Sequence, residues 1–343
     1  MAAKSSLEDE TAESSPEPAT AAPGVPPRRF RPRAPDDITK LARDHKLSER
    51  SPAWTHLRTI VSLGTYIALS FASDALAPRF GIGVRLAAWA VQAVIFVGAY
   101  SAMHEAEHNN LYWSPLANRI AGMSWAALLF LNFNIDKLQH LEHHRYTRTA
   151  GDTENKPLFD SISSFFVSVA FFWVRLPIYR WWLSMRALLG VGYPVYATTE
   201  RDRASVRHGA IFFFAANLLL AALAVWFPRA VLVHYVGPFI LFQTVLGLSL
   251  LPEHYACAYD DDFLRTTRTI PSNALIRFFF WNGNYHVEHH LCPAVPHQNL
   301  PKLHALIADR IQHSSPGYVA FHLWLLKDIA RRRRIARSST PAA

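Results

Sequence analysis

Four stretches of the chain are strongly apolar: "IVSLGTYIALSFASDALA", "LAAWAVQAVIFVGAY", "IFFFAANLLLAALAVWF" and "VLVHYVGPFILFQTVLGLSLL". Each approaches the roughly 20 residues that a helix needs to cross a bilayer core. The charged residues near them stand at their ends, as expected when charge is kept out of hydrocarbon. The pattern predicts an all-α polytopic membrane fold with about four transmembrane helices, over residues 57–77, 84–103, 209–227 and 230–251. The first pair turns at "PRFGIGVR". The second turns at "FPRA", where Pro228 ends a helix.

Two further segments are apolar but read differently. "IAGMSWAALLFLNFNI" separates His108 from His140, and one crossing here would put about 30 Å of hydrocarbon between His104 and His140. If histidines on either side of it cooperate, it dips into the membrane or lies in the interface. Residues 161–189 mix Trp173, Trp181 and Trp182 with Arg175, Arg180 and Arg186, the composition of an interfacial helix. Residues 1–52 lack the apolar core of a signal peptide and are expected to form a disordered basic tail, leading to a short basic helix near residues 37–46. Residues 53–325 form the integral-membrane domain, and residues 326–343 a basic C-terminal tail.

Composition changes this picture in two places. The chain has 343 residues and a formal net charge of +9, but the basic residues gather in flanks, "PPRRFRPR" and "RRRRIAR". Such flanks fit the positive-inside rule and anionic head groups; no folded basic module accompanies them, which argues against nucleic acid. With the basic N-terminal flank inside, two crossings bring His104 to the cytosol, and the second pair of spans returns His254 to the same face. The expected protein is multi-pass, with a histidine-rich cap facing the cytosol. The two cysteines, Cys257 and Cys292, are too few for a disulfide framework and suit a reduced setting.

The polar residues that remain unexplained are histidines. "HEAEH" places His104 and His108 four apart, "HLEHH" places His140, His143 and His144 at i, i+3 and i+4, and "HVEHH" repeats that spacing with His286, His289 and His290. On a helix each set shares one face and can point at a common ion. Neutral imidazole suits iron, zinc, copper or nickel, and the scarcity of thiols argues against iron–sulfur or cysteine-zinc sites. Eight imidazoles, with His254 of "LPEHY" a candidate ninth, exceed what one ion accepts, so two metals are the natural stoichiometry. Glu105, Glu107, Glu142, Glu253 and Glu288 lie in or beside the clusters, where a carboxylate can accept the second ring N–H of a ligating histidine. His45, His56, His208, His234, His297, His304, His313 and His322 are read as non-ligands, His304 being the least clear-cut.

"HEAEH", "HLEHHRYT" and "NYHVEHHLCPAVPHQNLPKLH" resemble the three histidine boxes of the membrane-bound fatty acid desaturase superfamily, which includes hydroxylases and carotenoid ketolases. The likeness runs from about His104 to His304. It implies two non-haem irons, dioxygen as co-substrate, and electrons from an external ferredoxin or cytochrome/reductase donor. It also implies metal-ligand roles for His104, His108, His140, His143, His144, His286, His289 and His290, with His254 at the family's extra ligand position. No catalytic residue separate from these ligands is implied. Glu105 stands where Asp is frequent, and Leu250 where some relatives carry an asparagine that holds a metal-bound water. No "HPGG"-type haem motif is present, so a separate donor is expected.

The expected reaction is introduction of a double bond into a fatty acyl chain of a lipid, with carotenoid ketolation or hydroxylation, or another lipid hydroxylation, as the alternative. The substrate expected is a long apolar molecule drawn from the bilayer. "HEAEH" read alone fits the HExxH pattern of an intramembrane zinc protease, but that leaves two clusters without a role. A metal transporter or chaperone would place its ligands at mid-span rather than at span ends.

Overall fold

A computed structural model describes residues 34–154 and 158–338, and over these residues the fold is helical. The one β pairing among the described residues is an isolated bridge between Thr269 and Ser314. Four helices are long and apolar enough to span: α2 (Pro52–Phe80), α3 (Ile82–Glu107), α7 (Glu200–Trp226) and the continuous helix Pro228–Glu253. The last comprises α8 (Pro228–Val231), a π turn (Leu232–Val236), α9 (Gly237–Leu250) and a tight final turn, Leu251–Glu253. At 1.5 Å per residue each reaches about 39 Å or more, which exceeds a hydrocarbon core of about 30 Å. The expected spans lie inside these helices.

Gly81 makes the first hairpin. Its φ of +80° is a conformation only glycine adopts cheaply, and its N–H closes α2 on Ala77 O at 2.8 Å before α3 begins one residue later. Within the bundle, 11% and 17% of the apolar cores of α2 and α7 are buried, against 44% and 33% for α3 and Pro228–Glu253. The outer pair therefore carries the lipid-facing surface, with Phe71, Leu218 and Val225 exposed, while α3 and α9 form the inner pair. Phe96, Met103, Phe242 and Leu246 pack between them.

The apolar segment after His108 does not cross. It divides into α4 (Pro115–Leu128) and the start of α5 (Phe133–Tyr146), broken where Phe130 takes φ +55°. Asn132 caps α5, accepting from Asn134 N at 3.2 Å. α6 (Ile162–Leu188) bends by 50° between Ile162–Phe171 and Arg175–Leu188. Its first half packs on the cap through Phe165, beside Tyr255 and Phe321, and its second half is tied to α5, where Arg180 pairs with Asp136 at 2.6 Å. Taken together the two halves are long and apolar enough to count as one further span or a re-entrant helix.

The cap comprises α10 (Phe263–Thr266), α11 (Ala274–Phe279), α12 (His286–Leu291) and α13 (Leu300–Ile307), with α1 (Asp36–Asp44) docked on it. Ile38, Ala42 and Leu47 bury their side chains against Val287, Leu291, Leu300 and Leu303. Residues 34–52 thus belong to the cap and not to a tail, because the short helix has an apolar face to bury. Residues 1–33 lie outside the described residues. At the other end α14 (Tyr318–Ser338) runs through the expected boundary at 325, with Asp328 and Ile329 buried. Residues 339–343 also lie outside the described residues.

Candidate metal centre

The last turn of α3 carries His104 and ends on His108, α5 carries His140, His143 and His144, the tight turn after α9 ends on His254, and α12 carries His286, His289 and His290. The fold brings all nine together in two groups. His104, His108, His140, His144 and His289 form one; His143, His254, His286 and His290 form the other. Within each, the ligand atoms lie within 4.8 Å of one another. Both α5 and α12 serve both groups: on each helix the i+3 and i+4 positions diverge enough to reach different centres.

The ring atoms are arranged for cations. Six Nε2 to Nε2 separations fall between 2.8 and 3.1 Å. Two nitrogens bound at right angles about 2.1 Å from one ion would stand about 3.0 Å apart. Outside the spans, burial first and repulsion from neighbouring imidazoles second hold His140, His144, His286, His289 and His290 well below the usual histidine range, leaving neutral lone pairs.

The second ring nitrogens differ between the groups. In the second group each has a partner: His143 Nδ1 faces Asp152 Oδ1 at 2.7 Å, His254 Nδ1 faces Thr266 O at 3.0 Å, His290 Nδ1 faces Thr147 Oγ1 at 3.2 Å, and His286 Nδ1 lies 3.6 Å from Glu253 Oε1. In the first group the Nδ1 atoms of His144 and His289 are buried without a partner. Burial opposes a charge on His143, yet Asp152 and then Glu154 outweigh it and push the imidazole up to about 9. Asp152, which burial alone would raise, is held down to about 2 by His143 and by the N–H groups of Arg148 and Glu154.

Among the five cluster glutamates, Glu253 faces His286 at 3.6 Å, and an oxygen of Glu105 lies within 4.8 Å of a ring nitrogen of His289. Glu288 accepts from Thr269 Oγ1 at 2.5 Å and pairs with His304. Glu142 pairs with Arg145 at the surface, and Glu107 is buried with Oε1 unpartnered. Glu105 accepts from His297 N–H at 2.8 Å, stands 3.2 Å from its ring and receives Asn110 Nδ2 at 3.4 Å. Those bonds commit Glu105 to the loop after α12, away from the water-activating role a zinc hydrolase would need. His297, read as a non-ligand, also falls in a third possible set with Glu105 and His289.

Sequence reasoning passed over three further residues. Asp152 and Thr147 follow α5 in a loop, where no periodicity marks them. Arg268, wholly buried, donates from Nη1 to Pro252 O at 2.8 Å and Tyr255 O at 2.7 Å, clamping the turn that presents His254. A lone arginine in a cap loop carries no such signal.

Two cavities adjoin the centre. One of about 30 Å³ is lined by Tyr100, Arg148, Glu154, Glu253 and Tyr255 together with His104, His140, His143, His254 and His286. The other, also about 30 Å³, lies between α3 and α9 beside Val97, Ser101, Leu246, Phe280 and Tyr318. Tyr100, Leu250 and Glu253 border both. Gly98 lets α11 close on α3: a Cβ on it would fall 2.2 Å from Phe279 O, so a side chain would force the end of α11 away from α3.

Comparison with known proteins agrees with this geometry. Residues 80–322 match the family described as fatty acid desaturase. The chain is 28% identical over 224 residues to a Caenorhabditis elegans protein named for sphingolipid delta(4)-desaturase/C4-monooxygenase activity, covering 61% of this chain and 54% of that one. It is 27% identical over 253 residues to the dihydrorhizobitoxine desaturase of Bradyrhizobium elkanii, covering 66% and 68%. It is 26% identical over 226 residues to a sphingolipid delta(4)-desaturase/C4-monooxygenase of Rattus norvegicus, covering 62% of each. The match thus spans about half to two thirds of these relatives' own lengths.

Proposed function

Because the chain belongs to the fatty acid desaturase family, we propose that it is an integral-membrane oxidoreductase that uses dioxygen to place a double bond in a saturated acyl chain of a membrane lipid. The observation that carries this reading is the pair of histidine groups, sharing α5 and α12, at the ends of the inner helices.

The donor set fits two irons: His104, His108, His140, His144 and His289 would hold one, and His143, His254, His286 and His290 the other. Bound there, iron would supply the dioxygen activation that breaking an unactivated C–H bond requires. The protein's own residues do the rest. Asp152, Thr147 and the Thr266 carbonyl hold Nδ1 protons in place, so that Nε2 lone pairs point inward. Val97, Leu246, Leu250 and Phe280 exclude water and align the chain, and their depth relative to His104 and His286 sets which carbon is presented. The external donor and the cytosolic facing of the cap follow the family and the basic flanks.

Oxygenation is the second reading, favoured by the monooxygenase names of the worm and rat relatives. Iron analysis with Mössbauer spectroscopy on protein from iron-replete membranes tests the centre, and lipid profiling of expressing cells separates the two outcomes. About two irons per chain, with a product lighter by two hydrogens, is expected; a product gaining one oxygen selects the second reading. His143→Ala and His289→Ala should each lose iron and nearly all activity while remaining membrane-inserted. One zinc per chain and no iron would overturn the proposal.

A further inference from the structure

Desaturation with dioxygen has an electron deficit. A –CH2–CH2– unit gives up two electrons and two protons, whereas reduction of one dioxygen to two waters takes four of each. Two electrons and two protons come from elsewhere, and a protein that carries electrons singly has to touch this one twice per turnover. This inference rests on the function proposed above.

One surface combines charge with a contact to the residue that follows His254. On α14, Lys327, Arg331 and Arg334 stand at i, i+4 and i+7, on one exposed face, with Arg333 exposed beside them. A groove of about 280 Å³ lies between this helix and the start of α6, with Ile162, Ile329 and Ala330 as floor and Arg333 and Arg334 as rim. Arg332 turns inward. Its Nη2 donates to Tyr255 Oη at 2.8 Å, its Nη1 to Phe159 O at 3.2 Å, and its Nε to Asp328 at 2.8 Å. Tyr255 is the residue bonded to His254. Its ring stacks on Phe159 at 5.6 Å and meets the edges of Phe321 and Trp324 at 6.3 and 6.5 Å. Aromatic contacts therefore run from α14 to Tyr255, whose backbone continues directly into His254 of the second histidine group.

We infer that this face of α14 is the docking surface for an acidic one-electron carrier protein, which delivers its electrons next to Tyr255 and His254. Basic charge with an apolar floor matches a carrier that presents carboxylates around an apolar patch. The aromatic connection to Tyr255 favours it over an anionic membrane surface, which has no use for one.

The test is anaerobic stopped-flow mixing of the iron-loaded enzyme in detergent with a reduced [2Fe–2S] ferredoxin, following re-oxidation of the ferredoxin, with a small uncharged mediator as the comparison reductant. The second-order rate with ferredoxin should fall as salt is added. Arg333→Glu/Arg334→Glu should lower it about tenfold at low salt and flatten the salt dependence, and Arg333→Lys/Arg334→Lys should restore both. The mediator should reduce wild type and variants alike. A charge-reversed variant indistinguishable from wild type with ferredoxin overturns the proposal. A loss shared equally by the mediator overturns it as well, since the defect would then lie in the centre. A variant that differs only in binding to anionic vesicles assigns the face to lipid. Wild-type protein that accepts electrons from neither reductant overturns the function reading, and this inference with it.

Discussion

Asp152 sets the chemistry of one imidazole. It holds His143 at about 9, so below that pH an incoming cation has to displace a proton from the ring. Metal affinity should therefore climb with pH and level off above about 9. In the metal-free protein the same pair contributes stability in a defined window. The His143 part is complete below the ordinary histidine value and lost as pH rises through about 9; the Asp152 part is complete above the ordinary carboxylate value and lost as pH falls through about 2. Asp152→Asn should weaken iron binding about 10- to 100-fold and end the pH rise near the ordinary histidine value, as measured by chelator competition across pH. A flat profile in wild type would show that His143 is not paired as described. Eight of the nine histidines stood out because helical spacing advertises a shared face, whereas His254, a single histidine in "LPEHY", came from the resemblance. Asp152 was not, because a loop residue earns its place only through the tertiary position of Arg148 and Glu154, whose N–H groups orient it.

At the scale of elements, α6 shows what composition conceals. Its arginines read as interfacial groups reaching for head groups, and Arg186 does lie against Trp182 at 4.6 Å. Arg180 turns the other way, into a buried pair with Asp136 whose side chains are 4% and 11% exposed. Burial pushes the Asp136 carboxyl up to about 6, even against the pull of Arg180, so neither group is comfortable alone. Arg180→Ala or Asp136→Ala should each destabilise the protein by about 3–5 kcal/mol, read as a lowered midpoint of thermal unfolding in detergent. An unchanged midpoint would mean that the pair does not tie α6 to α5. The bend in α6 and the π turn at Leu232–Val236 left no trace in the hydrophobic pattern, since neither changes which residues are apolar. The four spans were plain for the converse reason: hydrocarbon imposes length and apolarity on sequence directly.

Over the whole molecule, the proposed function expects every cap segment to lie on one membrane face, since the histidines converge. Cysteines placed at Ala150 and Arg265 should be labelled from the same side by an impermeant reagent, with little background, because Cys257 and Cys292 are buried and burial pushes the Cys292 thiol up to about 11. Labelling from opposite faces would sink this topology. The sharing of α5 and α12 between the two groups has a temporal consequence. Both groups lack members until residues 286–290 have been made, later in the chain than all four spans. A nascent chain stopped short of His286 would hold every span and neither complete group.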